Sequence, residues 1–170
     1  MKNKQQGVFL LEALLAVLVF SAGILALVAM GASAMNAQND AQYRMEASNY
    51  TSDITSQIWL SASRVPVKNA NGDDVYTVVT ADLKSFAHQT TTGANCSFSG
   101  TASTNPLVIA WLAKLKANSG LPGNDDSMVQ ILVDTRTDAT ADKNKITVTV
   151  CWKTPSDPRK RSHSLTSYVN

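Results

Sequence analysis

The sequence has little charge, little cysteine and few aromatic residues. Of its 170 residues, 16% are charged and 6% aromatic, and there are two cysteines and two histidines. An average soluble protein carries roughly 25% charge. Fifteen Lys+Arg against thirteen Asp+Glu leave a net charge of +2, too little for a binder driven by neutralising phosphates, so direct nucleic-acid binding is not expected. Two cysteines allow one disulfide, and no Cys/His cluster exists from which to build a zinc site. His88 and His163 belong to no H-x-x-x-H or H-E-x-x-H arrangement. Asp125-Asp126 and the acidic residues from Asp138 to Asp142 form no D-x-[DN]-x-[DN]-G calcium loop. There is no phosphate-cradling glycine loop and no nucleophile elbow. The chain is one domain's worth, or a domain plus an anchor, and a large multidomain enzyme is excluded. The sequence offers no catalytic residue, metal set or cofactor site, and the expectation is a non-enzyme.

The missing charge is concentrated in one place, since nothing ionisable lies between Glu12 and Asp40. A short polar leader with Lys2 and Lys4 precedes an apolar run from Val8 to Met35 whose only charge is Glu12. As a helix that run is about 42 Å long, against the ~30 Å hydrocarbon core of a bilayer. The lysines favour a cytoplasmic start, with everything after Met35 on the far side of the membrane. Three readings compete: a plain signal anchor, a secretory signal peptide cut near Ala32-Ser33-Ala34, and a leader cut just before the apolar run. Glu12 separates them. A carboxylate inside an apolar helix costs roughly 2.5–3.5 kcal/mol on insertion scales, and an anchor or signal peptide gains nothing from it. The run is also longer than the roughly 7–15 residues of a signal-peptide core.

Proline and glycine are missing from the next stretch as well, with neither between Ala32 and Arg64. Tyr43, Ala47, Tyr50, Ile54 and Ile58 recur at spacings of three and four, an amphipathic stripe. One helix is therefore predicted from the apolar run to about Ala62, ending before Val65-Pro66. Asn69 to Asp74 reads as a turn, Val75 to Thr80 as a short strand, and Thr80-Ala81-Asp82 as the cap of a brief helix through Phe86. Gln89 to Asn105 reads as a loop carrying Cys96. Asn105-Pro106 opens a helix with an apolar stripe of Leu107, Trp111, Leu112 and Leu115, stopped by the glycines and proline of 119–123. The remainder reads as antiparallel strands: Met128 to Asp134, Lys145 to Lys153 and Ser162 to Val169, with polar connections between them. In the middle strand Ile146, Val148, Val150 and Trp152 share one face and Thr147, Thr149 and Cys151 the other. The lower part of the long helix, with Ile54, Ile58 and Trp59, is the expected cover for the apolar face.

The leader and apolar run resemble those of type IV pilins. In that family a peptidase cuts after a glycine and a glutamate stands fifth in the mature chain; here Gly7 ends the leader, Val8 is the new N-terminus and Glu12 is fifth. The family usually begins with phenylalanine, and here Val8 precedes Phe9. The spacing has a physical reason. Cutting creates an α-amino group that a subunit entering a filament core must bury, and a glutamate on a neighbour neutralises it and sets the register. Gly23 and Gly31 permit close helix approach in a membrane or filament core, or are tolerated passengers of a membrane helix. The tail is similar to that of minor pilins of the PilV type in Leu121-Pro122-Gly123, in Val148, Val150 and Trp152, and in His163.

The resemblance implies an α+β fold of the type IV pilin kind: one long N-terminal helix, half transmembrane and half amphipathic, packed on a small antiparallel sheet with a short extra helix. It divides the chain into a leader (1–7), a membrane or filament-core helix (8–35), an amphipathic second half (36–62) and a periplasmic head (63–170). It also implies cleavage between Gly7 and Val8, methylation of the Val8 amine and an assembly role for Glu12. Expected partners are the prepilin peptidase, the other minor pilins, the major pilin, a PilY-type tip adhesin and the inner-membrane assembly platform. The implied function is to prime pilus assembly, and so to support twitching motility, adhesion or DNA uptake. Glu12 argues against the outermost tip position. A minor pseudopilin of a type II secretion system and a membrane-anchored periplasmic binding domain are the alternatives. An exported head sits in an oxidising compartment, so Cys96 and Cys151 are expected to pair. Closing that loop of about 55 residues is worth roughly 4 kcal/mol. The basic run Arg159-Lys160-Arg161 reads as a solvated turn, and His163 as a packing residue at the start of the last strand.

Overall fold

The computed structural model describes residues 6–117, 120–135, 144–154, 157 and 159–169. Most of the leader, most of the connection expected at 135–144 and parts of the turn before the last strand lie outside the described residues. Contacts divide the chain into two units, Met1–Ala41 and Gln42–Asn170. A single helix, α1 (Gln6–Ser61), supplies the first and enters the second. With no proline or glycine between Gly31 and Ser61, nothing interrupts its hydrogen-bond ladder. The fold is α+β, a long N-terminal helix with small antiparallel sheets.

In the second unit α1 buries Ala47, Thr51, Ile54, Thr55 and Ile58, with Tyr43 and Tyr50 half-buried against the same core. The stripe expected from its spacing is the buried face. Two threonines join it because their hydroxyls turn back to the helix: Thr51 Oγ1 donates to Ser48 O at 2.9 Å and Thr55 Oγ1 to Thr51 O at 2.7 Å. Burying an Ile side chain is worth roughly 1.5–3 kcal/mol, so Ile54 and Ile58 dominate this contact.

The main sheet is antiparallel, in the order β5 (Val129–Asp134), β6 (Asn144–Lys153), β7 (Lys160–Val169). Ile146, Val148, Val150 and Trp152 of β6 lie in the core with the stripe of α1, as their alternation requires. Trp59 is less a cover than a rim. It is partly exposed, and its Nε1 donates to Ser167 Oγ on β7 at 3.0 Å. The first strand begins at Val129 because Asp126–Met128 forms a single 3-10 turn, with the Asp125 carboxylate accepting from Ser127 N at 2.8 Å. The last strand begins at Lys160, so His163 lies inside it, opposite Val150.

Between α1 and this sheet lie a hairpin, two short helices and a small loop. The hairpin, β1 (Arg64–Lys68) with β2 (Asp74–Val78), closes through the Asn69 turn; β1 forms despite Pro66, which argues against a strand in sequence. The helix α2 (Thr80–Ser85) starts one residue earlier than a Thr80 cap implies. Its N-cap is Val79, which has no capping side chain but whose N–H donates to Ser63 O at 2.9 Å. The 89–105 loop contains a two-residue ladder, β3 (Thr91–Thr92) with β4 (Phe98–Ser99). In α3 (Pro106–Lys116) Asn105 caps the helix by accepting from Leu107 N at 3.0 Å. The buried stripe is Val108, Trp111, Leu112 and Leu115. Leu107 is 38% exposed, because it lies about 100° around the helix from Val108. After α3, Gly123 turns with φ +62, where a Cβ would press on the backbone of Lys153. That close approach lets Lys153 N donate to Pro122 O at 2.9 Å.

Candidate functional site

The first unit is a helix with every described side chain from Val8 to Asn39 exposed. Val8, Phe9, Leu10, Leu11, Leu14 and Leu15 among them are large and apolar, and the helix is long and apolar enough to cross a membrane. The Gly7–Val8 bond lies in its first turn. Glu12 stands four residues beyond Val8, one helical turn along the same face, on a shallow groove it shares with Val8, Leu11, Leu15, Ala16, Val19 and Phe20. Val8 and the carboxylate of Glu12 thus share one apolar face. A Cβ at Gly23 or Gly31 would meet nothing within 4 Å, so nothing in the single chain requires glycine there.

In the second unit the structure joins Cys96 to Cys151 in a disulfide, with Cα atoms 6.1 Å apart. Cys151 lies on the outer face of β6, and the bridge fastens the 89–99 loop there over a second small core of Phe98 and Met128. Asn95 and Cys96 both have positive φ, +53 and +54, the conformation of a tight reversal that few residues other than glycine adopt readily. A buried glutamine completes the fastening. Gln130 Nε2 donates to Gln89 O at 2.9 Å and to Thr92 Oγ1 at 3.1 Å. Sequence alone gave no sign of this clasp, whose partners lie about forty residues away.

The basic run belongs to this structural apparatus. Arg159 and Arg161 both reach the Asp157 carboxylate, at 3.0 and 3.1 Å. The hydrogen bonds from Arg159, followed by those from Arg161, hold that carboxyl far below the usual carboxylate range. Lys160 Nζ donates to Cys96 O at 3.2 Å, tying the turn to the disulfide loop. The signal missed was Asp157, two and four residues from its arginines.

The two histidines belong to opposite edges of the main sheet, His88 bridging Ile131 of β5 and His163 lying on β7. His88 is buried, pairs through its backbone with Ile131 and accepts from Ser103 N at its Nδ1, 3.2 Å away. Among the described residues no group of three or more His, Cys, Asp or Glu is arranged to hold a metal. Asp126 pairs with Lys116 at 2.8 Å and Asp125 serves as a cap; Asp138 to Asp142 lie outside the described residues. No family model, curated protein or solved structure matches the chain.

Proposed function

We propose that the chain is a minor type IV pilin similar to PilV. It is made with a leader that a prepilin peptidase removes between Gly7 and Val8, and the new Val8 amine is methylated. The precursor sits in the inner membrane through residues 8–35 with its head in the periplasm. It then passes, through the assembly platform, into a pilus or its initiation complex beside other minor pilins, the major pilin and a PilY-type adhesin. There it primes assembly, and through that twitching motility, adhesion or DNA uptake.

The observation that carries this reading is Glu12, a lone carboxylate one helical turn from Val8 on an otherwise apolar, fully exposed helix face. A membrane anchor pays an insertion penalty for it with no return, whereas a filament supplies an ammonium to answer it. The uninterrupted run of α1 to Ser61, with an antiparallel sheet packed on its last turns, is what a filament subunit with a pilin-like fold requires. Mass spectrometry of the chain isolated from its native host tests the proposal. A polypeptide beginning at Val8, with a methylated amine, is expected. One beginning at Met1 or Met35 overturns it.

A further inference from the structure

The sheet edges of this head are treated unequally. On β1, Asn69 N donates to Asp73 O at 3.0 Å and Val79 N to Ser63 O at 2.9 Å. Given the register of the hairpin, alternation turns the bonding groups of Val65, Val67, Val75 and Thr77 inward and those of Pro66, Asp74 and Tyr76 outward. Pro66 thus removes the central outward N–H of β1 and blunts that edge. On β5, Ile131 exchanges two backbone bonds with His88, at 3.0 and 2.9 Å, which closes that edge at its centre. Carrying the alternation across β6 leaves Ser162, Ser164 and Thr166 of β7 with their backbone groups facing outward. Among the described residues no strand pairs with that side of β7. Its ten-residue register has no bulge, and it contains no proline.

The hairpin has the form such an edge accepts. A two-stranded ribbon alone is marginal in water, and this one leaves Val65, Val67 and Val75 at 43%, 40% and 40% exposed. These three valines share one face, with Thr77; Asp74 and Tyr76 share the other with Val78, whose side chain at the base of the hairpin is buried in the head's own core. If β2 lies antiparallel to β7 with Tyr76 opposite Ser164, the outward groups of the two strands meet. The valine face then continues the core side of the sheet, with Val75 beside Leu165 and toward Trp59 and Leu60, which is 86% exposed. Asp74 and Tyr76 continue the hydroxyl face, where Thr149 pairs with Ser164 and Thr147 with Thr166. Asp74 comes opposite Thr166, toward the end of β7 that Lys145 flanks on β6, while it keeps its own pairing with Lys68 in the hairpin at 2.7 Å.

We infer that the β1–β2 hairpin of one copy adds to the free β7 edge of a second copy, making a five-stranded sheet closed by the Pro66 edge. Each contact joins two different surfaces, so it extends head to tail unless its rotation closes the assembly into a ring or a reciprocal pair. It depends on the head alone and stands whether or not the N-terminal helix enters a pilus.

Replacing Tyr76 with the photo-crosslinker p-benzoylphenylalanine in the full chain in detergent tests it. Irradiation is expected to give a covalent dimer whose joined peptide lies within Lys160–Val169 of the second copy. Ser164→Pro removes an outward N–H without touching the β6 ladder, and Val75→Asp charges the apolar face of an already exposed hairpin. Each is expected to lower the dimer yield about tenfold, with the Cys96–Cys151 bridge and melting temperature retained for Val75→Asp. The inference is overturned if the crosslink stays within one chain, maps outside β7, goes to another protein, or persists undiminished in Val75→Asp.

Discussion

The indole Nε1 of Trp111 donates to the backbone carbonyl of Tyr50 at 2.9 Å, joining α3 to α1 across 61 residues of sequence. Both helices bury their apolar stripes in the same core, and this bond fixes their axial register as well as their contact. Lys114 and Asp53, 3.6 Å apart and exposed, lie on the same helix pair but are screened by solvent. Trp111→Phe keeps most of the packing and loses the bond, with an expected loss of about 1 kcal/mol. Trp111→Ala adds a cavity and is expected to lose about 3–5 kcal/mol. Thermal melting in detergent measures both, against Ile109→Ala on the exposed side of α3 as the neutral reference. If Trp111→Phe melts with that reference, the bond contributes nothing.

His88 is expected to make the head sensitive to mild acid. Burial lowers its pKa from the ordinary 6.5, and Lys116 works in the same direction; Asp126, through its backbone and its charge, opposes this and is outweighed. The folded chain therefore holds a neutral imidazole whose Nδ1 accepts from Ser103 N, while the unfolded chain takes up a proton near pH 6.5. Because the unfolded state binds more protons below that value, stability is complete above it and falls as the pH drops toward the lowered folded pKa. Melting temperature measured from pH 8 to pH 4 is expected to decline below about pH 6.5. In His88→Gln that part of the decline should be missing. An identical profile in the two proteins would show that His88 carries no such linkage.

The disulfide and the Gln130 clasp hold the same loop, so their removal should not be additive. Cys96→Ser with Cys151→Ser is expected to lower stability by about 4 kcal/mol, the chain-entropy value for its loop. Gln130→Ala is expected to lose about 1–3 kcal/mol by leaving the Gln89 carbonyl unpaired. With the bridge gone, the loop has less reason to stay over β6, and the further loss from Gln130→Ala should shrink. Denaturant unfolding of the four variants in a cycle measures the coupling. Simple addition would mean that bridge and clasp act on separate parts of the head.

What was readable in the sequence follows from the range of the interactions involved. The stripe of α1 and the alternating faces of β6 were legible because helix and strand periods are local, and Ile54, Ile58, Val148 and Trp152 answer to them. The outer-face position of Cys151 followed from the same alternation, and with it the face that the Cys96 loop crosses. Leu107 was misassigned by one position because both 107 and 108 fit an i, i+4 pattern with residues further along α3. The hairpin was half visible: Val75 onward read as strand, but Pro66 concealed β1 until the pairing turned its nitrogen to the open edge. The Trp111–Tyr50 bond, the His88 bridge and the Gln130 clasp join residues about forty or more positions apart, and no local period encodes them. Glu12 lies at the other extreme, conspicuous in sequence because everything around it is apolar.

On the pilin reading proposed above, Glu12→Ala separates membrane insertion from filament entry. Removing the carboxylate relieves an insertion penalty whose upper bound is the roughly 2.5–3.5 kcal/mol of a helix centre, since Glu12 lies near the start of the run, so the amount of protein in the membrane should stay level or rise. Entry into a filament core should move the other way. In the proposed filament the mutant would leave the neighbouring Val8 amine buried without its partner, and breaking such a pair costs about 3–5 kcal/mol, equivalent to about a hundredfold or more in partition. Glu12→Gln tests whether charge or shape matters, since it keeps the size and loses the charge; it should behave like Glu12→Ala. Quantifying the protein in sheared filaments and in membranes from the same cells reads both steps at once. Filaments that contain the Ala variant at the wild-type level would remove the pairing role, even if the chain were cut at Val8.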